Sequence, residues 1–563
     1  MYYEKIFSGE DLLIHTGSAP EKPGKVLRAV YHIPGSRIRF LRFGLNMPSD
    51  EVYFGVLSAE DTGKKIVSNS LLMLKTEESP RMLLLGFSRY DYSDGTFILS
   101  VDPSGGFQVE ILADYDDLTL EEGSSVGTDP ILELCGDDYN ALLREWAQCV
   151  ARHTGKRIPE KIPCGWNDWQ YYRNEKTQED ILENCEELLE LKKQGVPCDF
   201  IQIDGGYCLH LSEWDTPSER FSMGIGELSR RIRSMGFRFG IWFAPYIQNI
   251  HTKVVREHPE WFLRDDKGEL VRLGNSNVGE SLLMDYTVEG TVPFLREKIR
   301  FLREEWKVEW IKLDGPNIAA YRRGVLADKK VTVQQMLRKT LSIIAGEAGN
   351  ILVEGEGSMT AAAGLVDLHR VQADNHPLWK VGETLYAPTV YGKELLMSFL
   401  HRIWWCNHRE NIVLRNFQSP HSFLRKKDPP EEEILFTENE CRIQLASAVI
   451  APGGFLLTDP VKRMKKECPD RLKNLNLFSP LPDGCTEVLD PFPEDGSRYA
   501  SMYKRVNGTE VLYALLNFSD REKSFTLPPL ESGFCRSLFT GENVPETVTL
   551  PPHGAELLRW IRP

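Results

Sequence analysis

Apolar and polar positions alternate over short stretches in the first part of the chain. Runs such as RIRFLRFGLNM, EVYFGVLS and RMLLLGFSRY are interrupted by Gly, Pro, Asp and Ser. Alternation bounded by such residues is typical of β-strands, and several short strands in succession are typical of a sandwich. The pattern therefore predicts an N-terminal β-sandwich over residues 1–135.

A helical pattern follows the predicted sandwich. The apolar residues between Tyr139 and Val150 fall on one face of a helix, and Asp137 or Asp138 precedes it as a candidate N-cap. We expect a helical linker over residues 136–160.

From Cys164 onward, apolar runs alternate with segments of helical periodicity. CDFIQID, FRFGIWFAP, VEWIKLD and NILVEGEG read as buried strands, and each is preceded by a stretch of helical periodicity. This rhythm implies parallel strands, and its length favours a (β/α)8 barrel over residues 161–470. Strand patterns return after it, including a hairpin signal at Asn507-Gly508. They predict a C-terminal β-sandwich over residues 471–563.

Several of the predicted barrel strands end in acids. These are Asp204, Asp314, Glu354 with Glu356, and Asp374. An acid after a strand commonly caps the next helix, and any one of these is open to that interpretation. In barrel enzymes, however, the active site lies at the carboxyl ends of the strands. The whole set is more simply explained as a site at the barrel mouth.

Two carboxylates that face each other across a barrel mouth suit glycoside hydrolysis. One attacks the anomeric carbon, and the other protonates the leaving oxygen and then activates water. Lys312 lies two residues before Asp314 and points to the same face of the strand. Its ammonium group can hold sugar hydroxyls and keep the aspartate ionised. The alternative for Lys312 is a buried ion pair with Asp314.

Aromatic residues are concentrated in the same segment. Trp166 and Trp169 lie at the first barrel strand, and Trp214 and Trp242 follow or lie on later strands. Sugar rings present apolar C–H faces that stack on such side chains. Trp166 and Trp242 are our candidates for substrate contact, whereas Trp169 is better explained as barrel core.

Composition and charge narrow the class of protein. The chain has 563 residues, of which 41% are hydrophobic and 26% charged, and its net charge is −15. This charge disfavours nucleic acid and anionic membranes as partners. The eleven cysteines form no CxxC pair, and the N-terminal stretch has no apolar run of signal-peptide length. We expect a cytoplasmic protein that needs no metal and no cofactor.

Short motifs in this order resemble a known group, the clan D α-galactosidase superfamily, and especially its bacterial glycoside hydrolase family 36 (melibiase) branch. The motifs are GWNDW from Gly165 to Trp169, IDGGY at the second strand, IKLD ending at Asp314, VEGEG, and RVQAD ending at Asp374. The resemblance extends from about Cys164 to Val461. It implies the same barrel with flanking β domains.

The resemblance also implies roles for single residues. Asp314 matches the nucleophile and Asp374 the acid/base of a retaining exo-α-glycosidase. Arg370 precedes Asp374 by four residues, as in some members, and either positions it or forms a structural salt bridge. Glu356 matches the segment that contacts the 2-hydroxyl of the sugar, with Glu354 as its rival. Asp204 matches the first acid of a pair that binds the sugar.

Two departures affect the identity of the sugar. Gly205 replaces the second acid of that pair, and Ala244 stands where a Glu is usual. The family default is an α-galactosidase, and these changes favour another α-linked sugar, with Glu213 or Asp215 as the first candidates for a replacement acid. A transglycosidase, a catalytically silent carbohydrate-binding protein and a metal-dependent hydrolase are the alternatives. The aglycone stays open, as does the oligomeric state, with a homo-oligomer among the options.

Overall fold

The protein is built around a closed barrel of eight parallel strands, each followed by helical or loop structure. The computed structural model describes residues 4–5, 14–15, 22–47, 49–275, 279–315, 318–426, 429–528 and 533–561. The barrel strands, labelled β1 to β8 in chain order, are Cys164–Asn167, Phe200–Ile203, Arg238–Phe243, Trp310–Leu313, Leu352–Gly355, Leu368–Arg370, Cys406–Ile412 and Gly454–Leu457.

Helices surround the barrel and cover the outer faces of its strands. Three of the longer ones begin with a capping box, in which Thr177, Thr332 or Thr437 exchanges hydrogen bonds with the residue three positions later. Such boxes satisfy amide groups that the first turn leaves unpaired. The α-helices from the barrel region are Trp169–Tyr172, Gln178–Lys193, Ile225–Ser234, Lys253–Glu257, Thr291–Glu304, Ile318–Tyr321, Val333–Ala348, Met359–Ala362, Tyr386–Leu396, Glu438–Ile450, Val461–Glu467 and Pro469–Lys473.

The N-terminal part consists of two five-stranded antiparallel sheets and one small strand pair. Phe87 and Phe97 belong to different sheets, and their ring centroids lie 5.8 Å apart, so the sheets pack face to face. In spatial order, one sheet is Glu4–Lys5, Lys25–Ile33, Phe107–Asp114, Thr96–Val101 and Lys65–Asn69, and the other is Ile131–Gly136, Met82–Phe87, Leu71–Thr76, Arg37–Arg42 and Tyr53–Ser58. Ile14–His15 pairs with Ser125–Val126.

A helix from Tyr139 to Thr154 connects this part to the barrel. The side chain of Asp138 accepts a hydrogen bond from the Ala141 amide and caps the helix. The face predicted from the sequence is the buried one, and the Trp146 ring packs within 5.3 Å of Trp404 near the barrel.

The C-terminal part is again β. A six-stranded sheet runs in the spatial order Cys485–Val488, Met502–Asn507, Glu510–Leu516, Ala555–Ile561, Phe534–Ser537 and Asn543–Val544, and Lys523–Thr526 pairs separately with Thr547–Leu550. Phe525 of the pair shares an apolar cluster with Tyr513 and Leu558 of the sheet. The fold is therefore α/β, a (β/α)8 barrel flanked by β domains at both ends, as the sequence predicted.

The N-terminal sheets also hold the chain that follows β4. Arg322 donates hydrogen bonds to Asp116 at 2.6 Å and to Asp94 at 2.9 Å, and both acids belong to the N-terminal part. The guanidinium group is three-quarters buried. This contact fixes the segment that leaves the carboxyl end of β4, where Asp314 lies.

Candidate active site

A cavity of about 370 Å³ lies at the carboxyl end of the barrel strands. It contains seven of the eight site residues predicted from the sequence, and only Trp166 is missing from its wall. The lining residues are Trp169, Asn174, Asp204, Gly205, Gly206, Cys208, Leu209, His210, Leu211, Arg220, Trp242, Asn249, Lys312, Asp314, Glu356, Arg370, Asp374 and Glu410.

Asp314 is positioned by the neighbouring strand. Its amide donates to the Phe243 carbonyl at 2.9 Å, which extends the pairing of β3 with β4. Its carboxylate Oδ2 accepts a hydrogen bond of 2.8 Å from the Trp242 indole Nε1. Burial raises the pKa of Asp314 above its ordinary value, against the opposing effect of Lys312 and of the indole hydrogen bond. The carboxylate is thus held in one orientation in a poorly solvated place.

Lys312 forms ion pairs with Asp204 and Glu410, and not with Asp314 as the alternative interpretation had it. Its Nζ lies 2.8 Å from Asp204 Oδ2 and 2.9 Å from Glu410 Oε1, and its side chain is 2% exposed. Asn167 donates a further hydrogen bond of 2.9 Å to Asp204. Burial opposes both charges, yet their mutual attraction holds the pKa of Asp204 below and that of Lys312 well above the ordinary values. Both groups are therefore charged at neutral pH.

Arg370 joins three carboxylates. Its guanidinium lies 2.7 Å from Glu356 Oε1, 2.8 Å from Asp374 Oδ1 and 2.7 Å from Glu410 Oε2. Burial pulls the pKa of Asp374 upward, but Arg370 and other positive groups nearby hold it well below its ordinary value. Burial has the larger effect at Glu356 and raises its pKa well above the ordinary value. The Asp374 side chain is 39% exposed, so it faces the open side of the cavity.

Glu410 is a site residue that the sequence did not reveal. It lies in an irregularity of β7, where the pairing with β8 shifts between His408 and Asn411, and its φ is +28°. A positive φ at a non-glycine residue is strained, and bulges of this kind redirect side chains near active sites. The bulge places the carboxylate between Lys312 and Arg370, and burial raises the pKa of Glu410 to about 7.

Some predicted contacts are corrected by the structure. Trp166 is fully buried and donates its indole hydrogen bond to the Asp459 carbonyl at 3.0 Å. Its neighbour Asn167 points inward to Asp204, so the Trp166 side chain lies on the outer face of β1, 6.2 Å from the Tyr172 ring. Trp169, expected in the core, lines the cavity instead. Glu354, the rival of Glu356, pairs with His408 at 2.6 Å and lies deeper in the barrel.

The surroundings of Gly205 differ from the sequence-based expectation. A Cβ built at this position would lie 3.5 Å from the Trp242 ring, an ordinary van der Waals contact. Ala244 is fully buried and outside the cavity wall. Glu213 and Asp215, considered as replacement acids, line a neighbouring cleft rather than this cavity. A side chain at position 205 could therefore begin without a clash, in contact with the Trp242 ring.

The described residues offer neither a cluster of metal ligands nor a membrane-spanning helix. The described ranges contain no group of three or more His, Cys, Asp or Glu side chains arranged to hold a metal ion. In the same part of the chain, every helix is too short or too polar to traverse a lipid bilayer.

Comparisons with known proteins agree with the fold. The Melibiase family model matches residues 203–343, from the last residue of β2 into the helix Val333–Ala348. The bifunctional α-galactosidase/sucrose kinase AgaSK of Mediterraneibacter gnavus is 23% identical over 193 residues, 33% of this chain and 20% of that protein. The α-galactosidase Mel36A of Lactobacillus acidophilus is 22% identical over 180 residues, 30% of this chain and 21% of that protein. The matched regions thus span about a fifth of these curated relatives.

Solved structures show the same architecture. The galactosidase domain of AgaSK aligns with a TM-score of 0.66 at 14% identity, over 97% of this chain and 77% of that one. The α-galactosidase TtGalA of Thermus thermophilus, in complex with stachyose, aligns with a TM-score of 0.61 at 18% identity, over 85% of this chain and 99% of that one. At these identities the alignments establish the fold alone. The chain is therefore similar to the Melibiase family over residues 203–343, and over most of its length it shares the fold of solved α-galactosidases.

Proposed function

We propose that this protein is a retaining exo-α-glycosidase that uses Asp314 as nucleophile and Asp374 as acid/base. The observation that carries the proposal is that these two carboxylates, which follow different barrel strands, line one cavity together with Lys312 and Arg370. Double displacement requires two such groups and no cofactor. A protein that only binds sugars has no need for the second carboxylate.

In the first step, Asp314 attacks the anomeric carbon while Asp374 protonates the leaving oxygen. The hydrogen bond from Trp242 fixes the Asp314 carboxylate, so the attacking oxygen needs little reorganisation. In the second step, Asp374 takes a proton from water, which then attacks the glycosyl–enzyme ester. The two inversions together retain the α configuration.

In the protein without substrate, the pKa values of Asp314 and Asp374 are in the opposite order to the one that a nucleophile and an acid catalyst need. The pKa of Asp374 is low beside Arg370, whereas burial raises the pKa of Asp314. Substrate binding has to change this order. A sugar that covers the exposed side of Asp374 removes water from it, and desolvation raises the pKa of a carboxyl group. Positive charge that develops at the anomeric carbon favours the ionised form of Asp314.

The substrate is a terminal α-linked sugar, with galactose as the family default. Solved relatives bind α-galactosides, among them stachyose and raffinose. Asp204, Lys312, Trp242, Glu356 and Arg370 are the proposed substrate-binding residues. Glu356 lines the cavity, and its Oε2 atom is buried without a hydrogen-bond partner among the described residues. An α-glycosidase for another sugar is the second candidate, because Gly205 lines the cavity without offering the second carboxylate that the resemblance leads one to expect there.

A panel of nitrophenyl α-glycosides tests the proposal. We expect one α-glycoside to be cleaved, and we expect Asp314→Asn to lower its kcat by more than about 10³-fold while circular dichroism stays unchanged. A wild-type protein that binds these sugars without cleaving any of them would instead support the carbohydrate-binding alternative.

A further inference from the structure

Asp374 and Glu410 face the same nitrogen atom of Arg370. Arg370 Nη2 lies 2.8 Å from Asp374 Oδ1 and 2.7 Å from Glu410 Oε2. Its hydrogen bond is directed to Asp374, whereas the contact with Glu410 is an ion pair, and Glu410 Oε2 has no hydrogen-bond partner among the described residues. The other terminal nitrogen, Nη1, donates to Glu356. The two carboxylates therefore compete for one donor, and Asp374 holds it in the protein without substrate.

The backbone keeps Glu410 in this place at a cost. The residue lies in the bulge of β7 with a φ of +28°, and its side chain is only 1% exposed. Its Oε1 atom accepts a hydrogen bond of 2.9 Å from Lys312, while its Oε2 atom is buried and unsatisfied. Both the strain and the unsatisfied oxygen cost free energy, and such features cluster at functional sites. Glu410 therefore has a role beyond packing.

The charge of Asp374 acts directly on Glu410. Burial raises the pKa of Glu410 to about 7, Arg370 and Lys312 oppose this rise, and the negative charge of Asp374 adds to it. Loss of that charge, when Asp374 takes up a proton, therefore favours the ionised form of Glu410. The charged or titratable groups that act on Glu410 or are acted on by it are Lys312, Arg370, Asp374, Glu356, Arg173 and Tyr386.

We propose that Glu410 is a positioning residue for the acid/base step, an alternative acceptor that takes the hydrogen bond of Arg370 Nη2 when Asp374 carries its proton. Asp374 releases the guanidinium as it becomes neutral, and Glu410, already in contact, keeps it paired and in place. The proton itself moves only between Asp374 and the glycosidic oxygen, and later between water and Asp374. This inference rests on the proposed function, because it takes Asp374 as the acid/base.

Glu410→Gln tests the exchange, because it keeps the size of the side chain and removes its charge. Arg370 then stays bound to Asp374 and favours the ionised form, so the basic limb of the kcat profile should move about one pH unit lower. At the optimum of the wild type, kcat for an alkyl α-glycoside of the preferred sugar should fall about tenfold. The matching nitrophenyl glycoside, whose leaving group needs little protonation, should lose less than about twofold.

Two further variants separate charge from packing. Glu410→Asp keeps the charge and shortens its reach, so its selective loss on the alkyl glycoside should be smaller than that of Glu410→Gln. Glu394→Gln is the matched control, because Glu394 is also a buried acid paired with an arginine, Arg409, and lies outside the cavity wall. Its pH profile and its ratio of the two kcat values should equal those of the wild type.

The outcomes separate this inference from the proposed function. If the wild type cleaves both glycosides and Glu410→Gln has the same basic limb, or loses activity equally on both, the exchange is overturned and the function stands. If Glu410→Gln does not fold, the two glycosides are compared in Glu410→Asp: a selective loss on the alkyl glycoside supports the exchange, and equal losses overturn it. A wild-type protein that cleaves neither glycoside overturns the function and the exchange together.

Discussion

Trp242 Nε1 donates a hydrogen bond of 2.8 Å to Oδ2 of Asp314, and the two residues lie at the ends of adjacent barrel strands. The bond favours the ionised carboxylate and counters the effect of burial on its pKa. Trp242→Phe keeps an aromatic ring but removes the donor. Hydrogen bonds to charged groups contribute about 1.5–3 kcal/mol, so kcat/KM should fall roughly 10- to 100-fold.

The pH profile checks the cause of that loss. Removing a hydrogen bond to the ionised form raises the pKa of Asp314 further, so the acidic limb of the kcat/KM profile should move to higher pH. An unchanged profile with a large loss of activity would indicate that the ring only shapes the pocket.

Asp374→Ala should stop acid/base catalysis while leaving the nucleophile in place. With a nitrophenyl leaving group, which needs little protonation, the glycosyl–enzyme still forms, and azide should restore turnover. Because azide then attacks an ester of inverted configuration, the product should be the α-glycosyl azide. A β-glycosyl azide from Asp374→Ala would make Asp374 the nucleophile, and Asp314→Ala is the matched control, from which the β product is expected.

The raised pKa of Glu410 predicts that the stability of the folded protein depends on pH. Burial raises its pKa to about 7 in the folded protein, from an ordinary value of 4.5. The folded state therefore holds this proton more tightly than the unfolded state. Its contribution to stability is present below about pH 4.5 and is lost as the pH rises to about 7, by an amount on the order of 3 kcal/mol.

Thermal unfolding at pH 5 and pH 7.5 measures this loss. Glu410→Gln removes the titration, so its melting temperature relative to the wild-type value should rise with pH, even though the variant loses ion pairs to Lys312 and Arg370. Melting temperatures that change in parallel for both proteins would mean that Glu410 does not titrate in this range.

Gly205→Asp should shift the sugar preference toward α-galactosides. A Cβ at this position makes only ordinary contact with the Trp242 ring, and Gly205 lines the cavity, so a carboxylate carried on that Cβ can accept a hydrogen bond from a sugar hydroxyl. A recovered hydrogen bond of about 1–2 kcal/mol corresponds to roughly a 5- to 30-fold rise in kcat/KM for galactosides over glucosides. Gly205→Ala adds the Cβ without the carboxylate and should show no such rise. Equal ratios in the two variants would count against a missing acceptor.

The sequence allowed the barrel and most of its site to be predicted because apolar strands ended in acids. Trp310–Leu313 and Phe200–Ile203 are buried on both faces, so they read as apolar runs, and Asp314 and Asp204 follow them directly. The sequence did not show which group Lys312 binds. Its observed partner Asp204 is 108 positions away in the chain, and no local pattern indicates such a pair.

There is a physical reason why neither the seventh barrel strand nor the role of Glu410 could be predicted from the sequence. All seven residues of Cys406–Ile412 are buried, yet five of them are polar or charged, so the strand carries neither an apolar run nor an alternation. Some of its polar groups bind partners far away in the chain, such as Lys312 for Glu410, 98 positions earlier. The prediction for Trp166 was wrong because a four-residue strand with every residue buried does not show in the sequence which face turns inward; Asn167 does so and Trp166 does not. Trp169 follows the strand and lines the cavity.

The most direct test of the central claim is covalent labelling of the nucleophile. The protein would be incubated with a 5-fluoro-α-glycosyl fluoride of its preferred sugar, digested with pepsin and analysed by tandem mass spectrometry. The proposed mechanism predicts a single label on Asp314, absent in Asp314→Asn. A label on Asp374, Glu356 or Glu410, or steady cleavage that releases the β-anomer first, would contradict it.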